Sequence, residues 1–327
     1  MSMGHRITES DRFGYVGQRA WHGLGQELPA GLKATEGFRE IGLDWKTGLA
    51  DLVAQTEEGD SLPVSSHRLH YRLDTHTPLG IVSQQYQPVD NMEMAEFADA
   101  ISGVEEGVEV ETAGSLREGR VVFALVRLPH TIEVTDEDIL HNYILVRNNH
   151  DAGAAFSVHP TSVRVVCANT LRMSERDGSK GIRIWHTGDL KTKLEHARLA
   201  LGIATQASIH FESKVRLLAA QHLKADQVRQ YFRTVYDRTW GVIPDGFERQ
   251  LRHRDKILTS WEENMEDALK EIRGTAWAAY NAVSQWHDHQ RGRYLPVSSS
   301  DARVHSNLFG GSARDKQVGF QEAMALV

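Results

Sequence analysis

Three apolar stretches within residues 114–171 decide the fold: GSLREGRVVFALVRLP at 114–129, YILVRNNHDAGAAFSVHP at 143–160 and TSVRVVCANTL at 161–171. Val121, Phe123, Leu125 and Val126 form a run too short for a helix and rich in β-formers. Ile144 to Val146 and Phe156 to Val158 repeat that character, and Val163 to Val166 is nearly all β-branched. Asn148, Asn149, His150, Asp151 and Gly153 cluster turn-forming residues between two apolar runs, a hairpin signal. The pattern predicts neighbouring strands over Arg120–Leu128, Tyr143–Arg147 and Ala155–Val158, joined by a turn at Asn148–Gly153. After Cys167 it predicts a helix, with Asn169 or Thr170 able to cap its first turn.

The remaining segments extend this pattern outward. Upstream, GYVGQRAWHGLGQELPAG reads as an ordered arm in which Trp21 is an anchor, because large aromatics are held by burial; a stacking surface at Trp21 and His22 is the alternative. Gly23 and Gly25 do not extend to a dinucleotide fingerprint. A short helix over Thr35–Leu43, a strand over Trp45–Leu52 and a second hairpin through Arg68–Leu73 and Leu79–Val82 follow. Met94, Phe97, Ala98 and Ile101 recur at helical spacing behind Asp90, a suitable cap, and Val104–Glu111 alternates again. Beyond Trp185 the period changes. Leu190, Leu194, Ala197, Leu201 and Ala204 mark one face of a long helix that continues toward Leu223, and further helices run from Asp226 to His289, broken at Pro244–Gly246. A polar tail precedes a last helix reaching Val327, with Ser312 as its expected cap.

The fold expected is therefore α+β: a mainly antiparallel sheet with packed helices, followed by a helical region. Its parts are 1–186, the sheet with its N-terminal arm; 187–290, the helical region; and 291–327, the tail with its final helix. A chain of 327 residues, 40% hydrophobic and 25% charged, has enough apolar content for a sizeable core. No run reaches the length of a membrane span and the first residues lack a signal peptide's apolar core, so the chain is expected to be soluble and cytoplasmic. A single cysteine excludes an internal disulfide framework and a multi-cysteine zinc site. A net charge of -7 argues against coating duplex DNA by bulk attraction, so any nucleic-acid site must be a local cationic stripe.

Several motifs then carry a resemblance. AWHGLG at 20–25, RNNHDAG at 147–153, RVVCANTL at 164–171, TAWAAYNAVSQWHDH at 275–289 and SNLFGG at 306–311 resemble the phage/plasmid-like protein family, a group of unknown function. The likeness spans nearly the whole chain and implies a mobile-element setting without an activity. A second, architectural resemblance is to phage single-strand annealing proteins, which share an antiparallel sheet with a helix laid on it.

For chemistry, Arg117, Arg120, Arg127, Arg147, Arg164 and Arg172 stand on or beside the expected strands and following helix, and Lys180 and Arg183 extend them. Single-stranded DNA needs such a cationic groove, with aromatic faces on which bases stack. Asn148, Asn149 and His150 complete the candidate nucleic-acid-binding set, although asparagines at this place also make the turn. Cys167 with His150 or His159 and Asn169 has the parts of a thiol hydrolase, but Val165, Val166 and Ala168 around it favour a buried, inert thiol. The histidine clusters His67 with His70, His150 with Asp151 and His287 with His289 have no complete ligand spacing, so no metal and no cofactor is assigned. The carboxylates of Val104–Glu111 and Asp136–Asp138 read as solvated surface. The function expected is a phage or plasmid DNA-metabolism protein that binds single-stranded DNA as a homo-oligomer and promotes annealing in recombination, with no catalytic residue. The alternatives are an enzyme or inhibitor in the conflict between mobile element and host, with a pocket near His150 and Cys167, and a scaffold that binds only protein.

Overall fold

A computed structural model describes residues 12–17, 25–151, 156–164, 169–172, 182–183, 190–294 and 305–327. Trp21, His22, Gly153, Cys167 and Lys180 lie outside these residues. The α+β class holds. Strands β1 (Phe13–Val16), β2 (Gln26–Leu28), β6 (Glu109–Leu116), β7 (Val121–Thr135), β8 (Asp138–Asn149), β9 (Ser157–Arg164) and β10 (Asn169–Arg172) form one sheet in the order β10-β9-β8-β7-β6-β1-β2. The two-residue β11 (Ile182–Arg183) also pairs with β9. A second sheet holds β3 (Thr47–Gln55), β4 (Ser61–Arg72) and β5 (Pro78–Ser83) in that order. The three strands expected at the centre are neighbours, as β7, β8 and β9.

Two expectations are corrected. Residues 169–172 do not open a helix: they pair antiparallel with β9, Asn169 opposite Arg164 and Arg172 opposite Thr161. The exposed edge of β9 offers Thr170 a ladder partner, and pairing outweighs its capping preference. Ser312 is not a cap either. The final helix begins behind Gly310, and the Ser312 N–H donates to Ser306 Oγ at 3.2 Å.

The chain divides into two compact units, one of Met1–Pro129, Tyr143–Pro160 and Glu175–Ala204, the other of His130–Asn142, Thr161–Ser174 and Thr205–Val327. In the first, alternation on the strands sorts the side chains. Val122, Ala124, Val126 and Leu128 of β7 and Ile144 and Val146 of β8 share one core with α1 (Ala34–Glu40) and α2 (Asn91–Ser102). Phe123, Leu125 and Arg127, with Tyr143, Leu145 and Arg147, therefore face the other way. Met94, Phe97, Ala98 and Ile101 are the buried stripe of α2, as their spacing predicts. The two helices are tied electrostatically. Asp99 of α2 accepts from the Ala34 and Thr35 N–H groups and from Thr35 Oγ1, at 2.5, 3.2 and 2.7 Å, so a carboxylate meets donors that the start of α1 cannot satisfy internally.

The second unit is mostly helical. It contains the C-terminal part of α3 (Leu190–Ala220), α4 (Ala225–Trp240), α5 (Glu248–Glu266), α6 (Ala276–Gln285) and the last helix, here α8 (Gly311–Met324). Between α6 and the short α7 (Arg291–Tyr294), Trp286–Gln290 forms a π turn. Phe232, Trp261, Trp277, Tyr280 and Trp286 fill its core, and Trp277 Nε1 donates to the buried Asp138 carboxylate at 2.9 Å. Lys316 and Asp288 pair at 2.6 Å, both buried.

Asp99→Ala removes the acceptor shared by the first N–H groups of α1. The variant is expected to lose about 1–2 kcal/mol in chemical denaturation, the usual scale for a lost N-terminal cap.

Candidate nucleic-acid interface

The end of β8 is where the first unit concentrates its polar chemistry. Alternation along Arg147-Asn148-Asn149-His150 sends Asn148 and His150 inward and Arg147 and Asn149 to the opposite face. His150 is fully buried. Its Nε2–H donates to Asn91 Oδ1 at 2.8 Å, and the orientation of that amide is fixed because Asn91 Nδ2 donates to the Leu43 carbonyl at 2.9 Å. The His150 carbonyl accepts from Nδ1 of the equally buried His70 on β4 at 2.7 Å, and the His150 N–H donates to the Arg120 carbonyl at 2.8 Å. Beside it, Asn148 Nδ2 donates to the Val89 carbonyl at 3.0 Å. The segment is thus bound through main chain and side chain to β4, to the start of α2 and to the head of β7.

Rings close around this anchor. Trp45 and His70 lie with their centroids 5.1 and 5.3 Å from that of His150, and Tyr86 stands 5.3 Å from His70. Arg72 spreads its guanidinium 4.4 Å over Trp45 and donates twice to Asp74, at 3.0 and 2.7 Å, which holds the Asp74 carboxyl below its ordinary value. Close approach also requires Gly80 of β5, since a Cβ there would lie 2.7 Å from Asp151 Cα. Burial makes both imidazoles poor bases. It pushes His150 down to about 3, with His70 and Arg72 adding in the same direction, and it lowers His70 against the opposing pull of its hydrogen bond and of Asp90.

Both histidines are therefore neutral at pH 7, with tautomers fixed by their partners. His70 Nε2, His150 Nδ1 and Trp45 Nε1 are buried and meet no hydrogen-bonding partner among the described residues. These atoms are two lone pairs and one N–H. They fall short of a structural metal site, and no group of three or more His, Cys, Asp or Glu side chains suited to a metal occurs among the described residues.

On the opposite face the arginines gather. Arg127 Nη1 lies 3.5 Å from Glu111 Oε2, while Tyr143 donates to Glu111 Oε1 at 2.9 Å. Burial raises the Glu111 pKa, and the bonds from Tyr143 and Arg127 act against that rise. Arg147 Nε donates to Asn149 Oδ1 at 2.5 Å. At the β6–β7 turn, Arg117 and Glu118 take left-handed φ angles of 58° and 61°, and Arg117 reaches Asp151 at 2.9 Å. Arg120 stands at the head of β7, half-buried.

The candidate residues thus separate. Arg127 and Arg147 stand on one face of β7 and β8 in the first unit, Arg120 stands at the other end of β7 from Arg127, and the buried Asn149 has its amide engaged by Arg147 and Asp151. Asn148 and His150 are inside, their groups spent on Val89 and Asn91, so in this geometry they anchor the segment and offer nothing to a phosphate. For Arg164, Arg172 and Arg183 the structure describes backbone alone, on β9, β10 and β11. His70, Asn91, Trp45 and Arg72 complete the anchor without having been assigned to it from sequence. For His70 and Arg72 the one signal was the alternation of Arg68, His70 and Arg72 on a strand, which puts three polar residues on one face; Trp45 and Asn91 had none.

Comparison with known families gives a match over residues 78–324 to a domain of unknown function, DUF932. The chain belongs to that family. The matched span of the DUF932 domain contains His70's partner His150, Asn91 and the arginines from Arg117 to Arg183, while Trp45, Arg68, His70 and Arg72 precede it. No curated protein and no solved structure matches the chain. Among the described residues, no helix of this DUF932 protein is long and apolar enough to cross a membrane.

The two lowered histidine pKa values set a pH dependence. The unfolded chain binds protons near pH 6.5 that the folded imidazoles refuse, so their contribution to stability is complete above pH 6.5 and falls as pH drops below it, for His150 toward about 3. Each refused proton contributes a slope of about 1.4 kcal/mol per pH unit within that window. His150→Phe is expected to unfold more easily at pH 7 but to show a shallower loss between pH 6.5 and 5 than wild type, measured by denaturant titration.

Proposed function

We propose that the protein binds single-stranded DNA along the face of β7 and β8 that carries Arg127 and Arg147, and that it serves annealing during recombination in a phage or plasmid setting. The observation that carries this reading is the placement of Arg127 and Arg147, both half-buried, on the sheet face opposite the helix-packed core, where Phe123, Tyr143 and Leu145 are buried among them. Arg127 and Tyr143 meet at the Glu111 carboxylate, and Arg147 lies four residues from Tyr143 along β8. At ~3.3 Å per residue that separation is about 13 Å, a reach of a few nucleotides. Leu125, half-buried between the cations, offers an apolar contact of the kind a base face accepts.

Annealing suits such a surface. It requires a strand to be held by its phosphates with its pairing edges unread, and it needs no catalytic group. The resemblance to the phage/plasmid-like family supplies the setting, and the succession of antiparallel strands followed by the long α3 supports the likeness to annealing proteins. Because the chain carries a net charge of -7, binding has to come from the concentrated face and not from overall attraction.

Fluorescence anisotropy with a labelled single-stranded oligonucleotide tests the reading. Wild type should bind at low salt, and Arg127→Ala and Arg147→Ala should each weaken binding alike for different sequences. Each should also flatten the slope of log affinity against log salt by about 0.7, the value for one neutralised phosphate. Absence of binding at low salt contradicts the reading.

A further inference from the structure

Independently of any DNA binding by the first unit, we infer that the second unit holds a phosphate group where Arg291, Ser306 and Ser312 converge on Gly311 at the start of α8. Arg291, half-buried at the head of α7, donates through Nη1 to Ser306 Oγ at 3.1 Å and to Ser312 Oγ at 2.5 Å. The two hydroxyl oxygens are 3.1 Å apart, and the Ser312 N–H also donates to Ser306 Oγ. Their mutual bond uses one hydroxyl hydrogen, so the second has no acceptor among the described residues. The guanidinium is not neutralised either. Asp315, one turn into α8, feels its charge without accepting a hydrogen bond from it, whereas the charge of Lys316 is met directly by Asp288 at 2.6 Å. Donors and positive charge are thus in surplus where the first N–H groups of a 14-residue helix add their own.

Two further observations point to a ligand. A Cβ on Gly311 would have as its nearest neighbours Arg291 Nη1 at 3.8 Å, Arg291 Nη2 at 3.9 Å and Ser306 Oγ at 3.9 Å, so the glycine leaves a cradle walled by three donors. Gly311, Arg291 and Ser306 are all partly exposed, which keeps the cradle open to solvent. Beside Ser306, Asn307 is 2% exposed, yet neither its Oδ1 nor its Nδ2 meets a hydrogen-bonding partner among the described residues. Leaving a buried amide in that condition is costly. A tetrahedral oxyanion answers this arrangement, because the guanidinium fork takes two of its oxygens while a hydroxyl and the helix start take the others. A planar carboxylate has only two oxygens to offer.

Isothermal titration calorimetry of the full chain with inorganic phosphate, at constant ionic strength, tests this. Wild type should bind phosphate saturably, and sulfate, of the same shape, should compete. Gly311→Ala fills the cradle at ordinary van der Waals distance with a better helix former, so it should weaken binding about tenfold, the scale of one lost charge-assisted hydrogen bond, without lowering the thermal midpoint. Arg291→Gln should abolish the binding. Tighter binding of a nucleoside monophosphate than of inorganic phosphate would identify a nucleotide as the source of the group, and equal binding the free ion; either upholds the site. Absence of saturable phosphate binding by wild type, or unchanged affinity in folded Gly311→Ala or Arg291→Gln, would overturn the inference.

Discussion

Everything at the candidate interface depends on the hydrogen bonds that hold His150. One residue uses its side chain on Asn91, its carbonyl on His70 and its N–H on Arg120, so the end of β8 is fixed to three separate elements at once. A strand end is ordinarily free to fray. Here two neutral imidazoles in a dry setting make its position costly to change, because opening the site leaves buried donors and acceptors without partners. The strand's alternation carries that anchor across the sheet: with Asn148 and His150 fixed on one face, the half-buried Arg147 must stand on the opposite face beside the buried Asn149.

The outer face is built from cations that already have acceptors. Arg127 has Glu111, Arg117 has Asp151 and Arg147 has the Asn149 amide. On the proposed single-strand reading, a phosphate would have to exchange partners with them, and its affinity would be the difference between two charge-assisted contacts. Carboxylates placed beside these arginines offset their charge and keep the face compatible with an acidic chain.

The sheet was readable because its chemistry is local. Val121–Leu128 and Tyr143–Arg147 are too short and too β-branched for helices, and strands placed there from residue type are the strands that form. Helical spacing likewise located α2 through Met94, Phe97, Ala98 and Ile101. Residues 169–172 were misread because a capping threonine and a strand threonine look alike until β9 supplies the edge. The anchor was hidden for another reason. His70 and His150 are 80 residues apart, and no spacing rule in a sequence reports a contact made by tertiary pairing. Nor did composition distinguish Arg147, which faces outward, from Asn148 next to it, which is spent inside.

The most direct measurement is arginine-selective chemical modification of the intact protein, read site by site with mass spectrometry, with and without a single-stranded oligonucleotide at low salt. The outer face of β7 and β8 as the binding surface predicts that Arg127 and Arg147 lose reactivity when the strand is present, while the exposed Arg249 and Arg252 of α5 keep theirs. Equal modification of Arg127 and Arg147 under both conditions would contradict it.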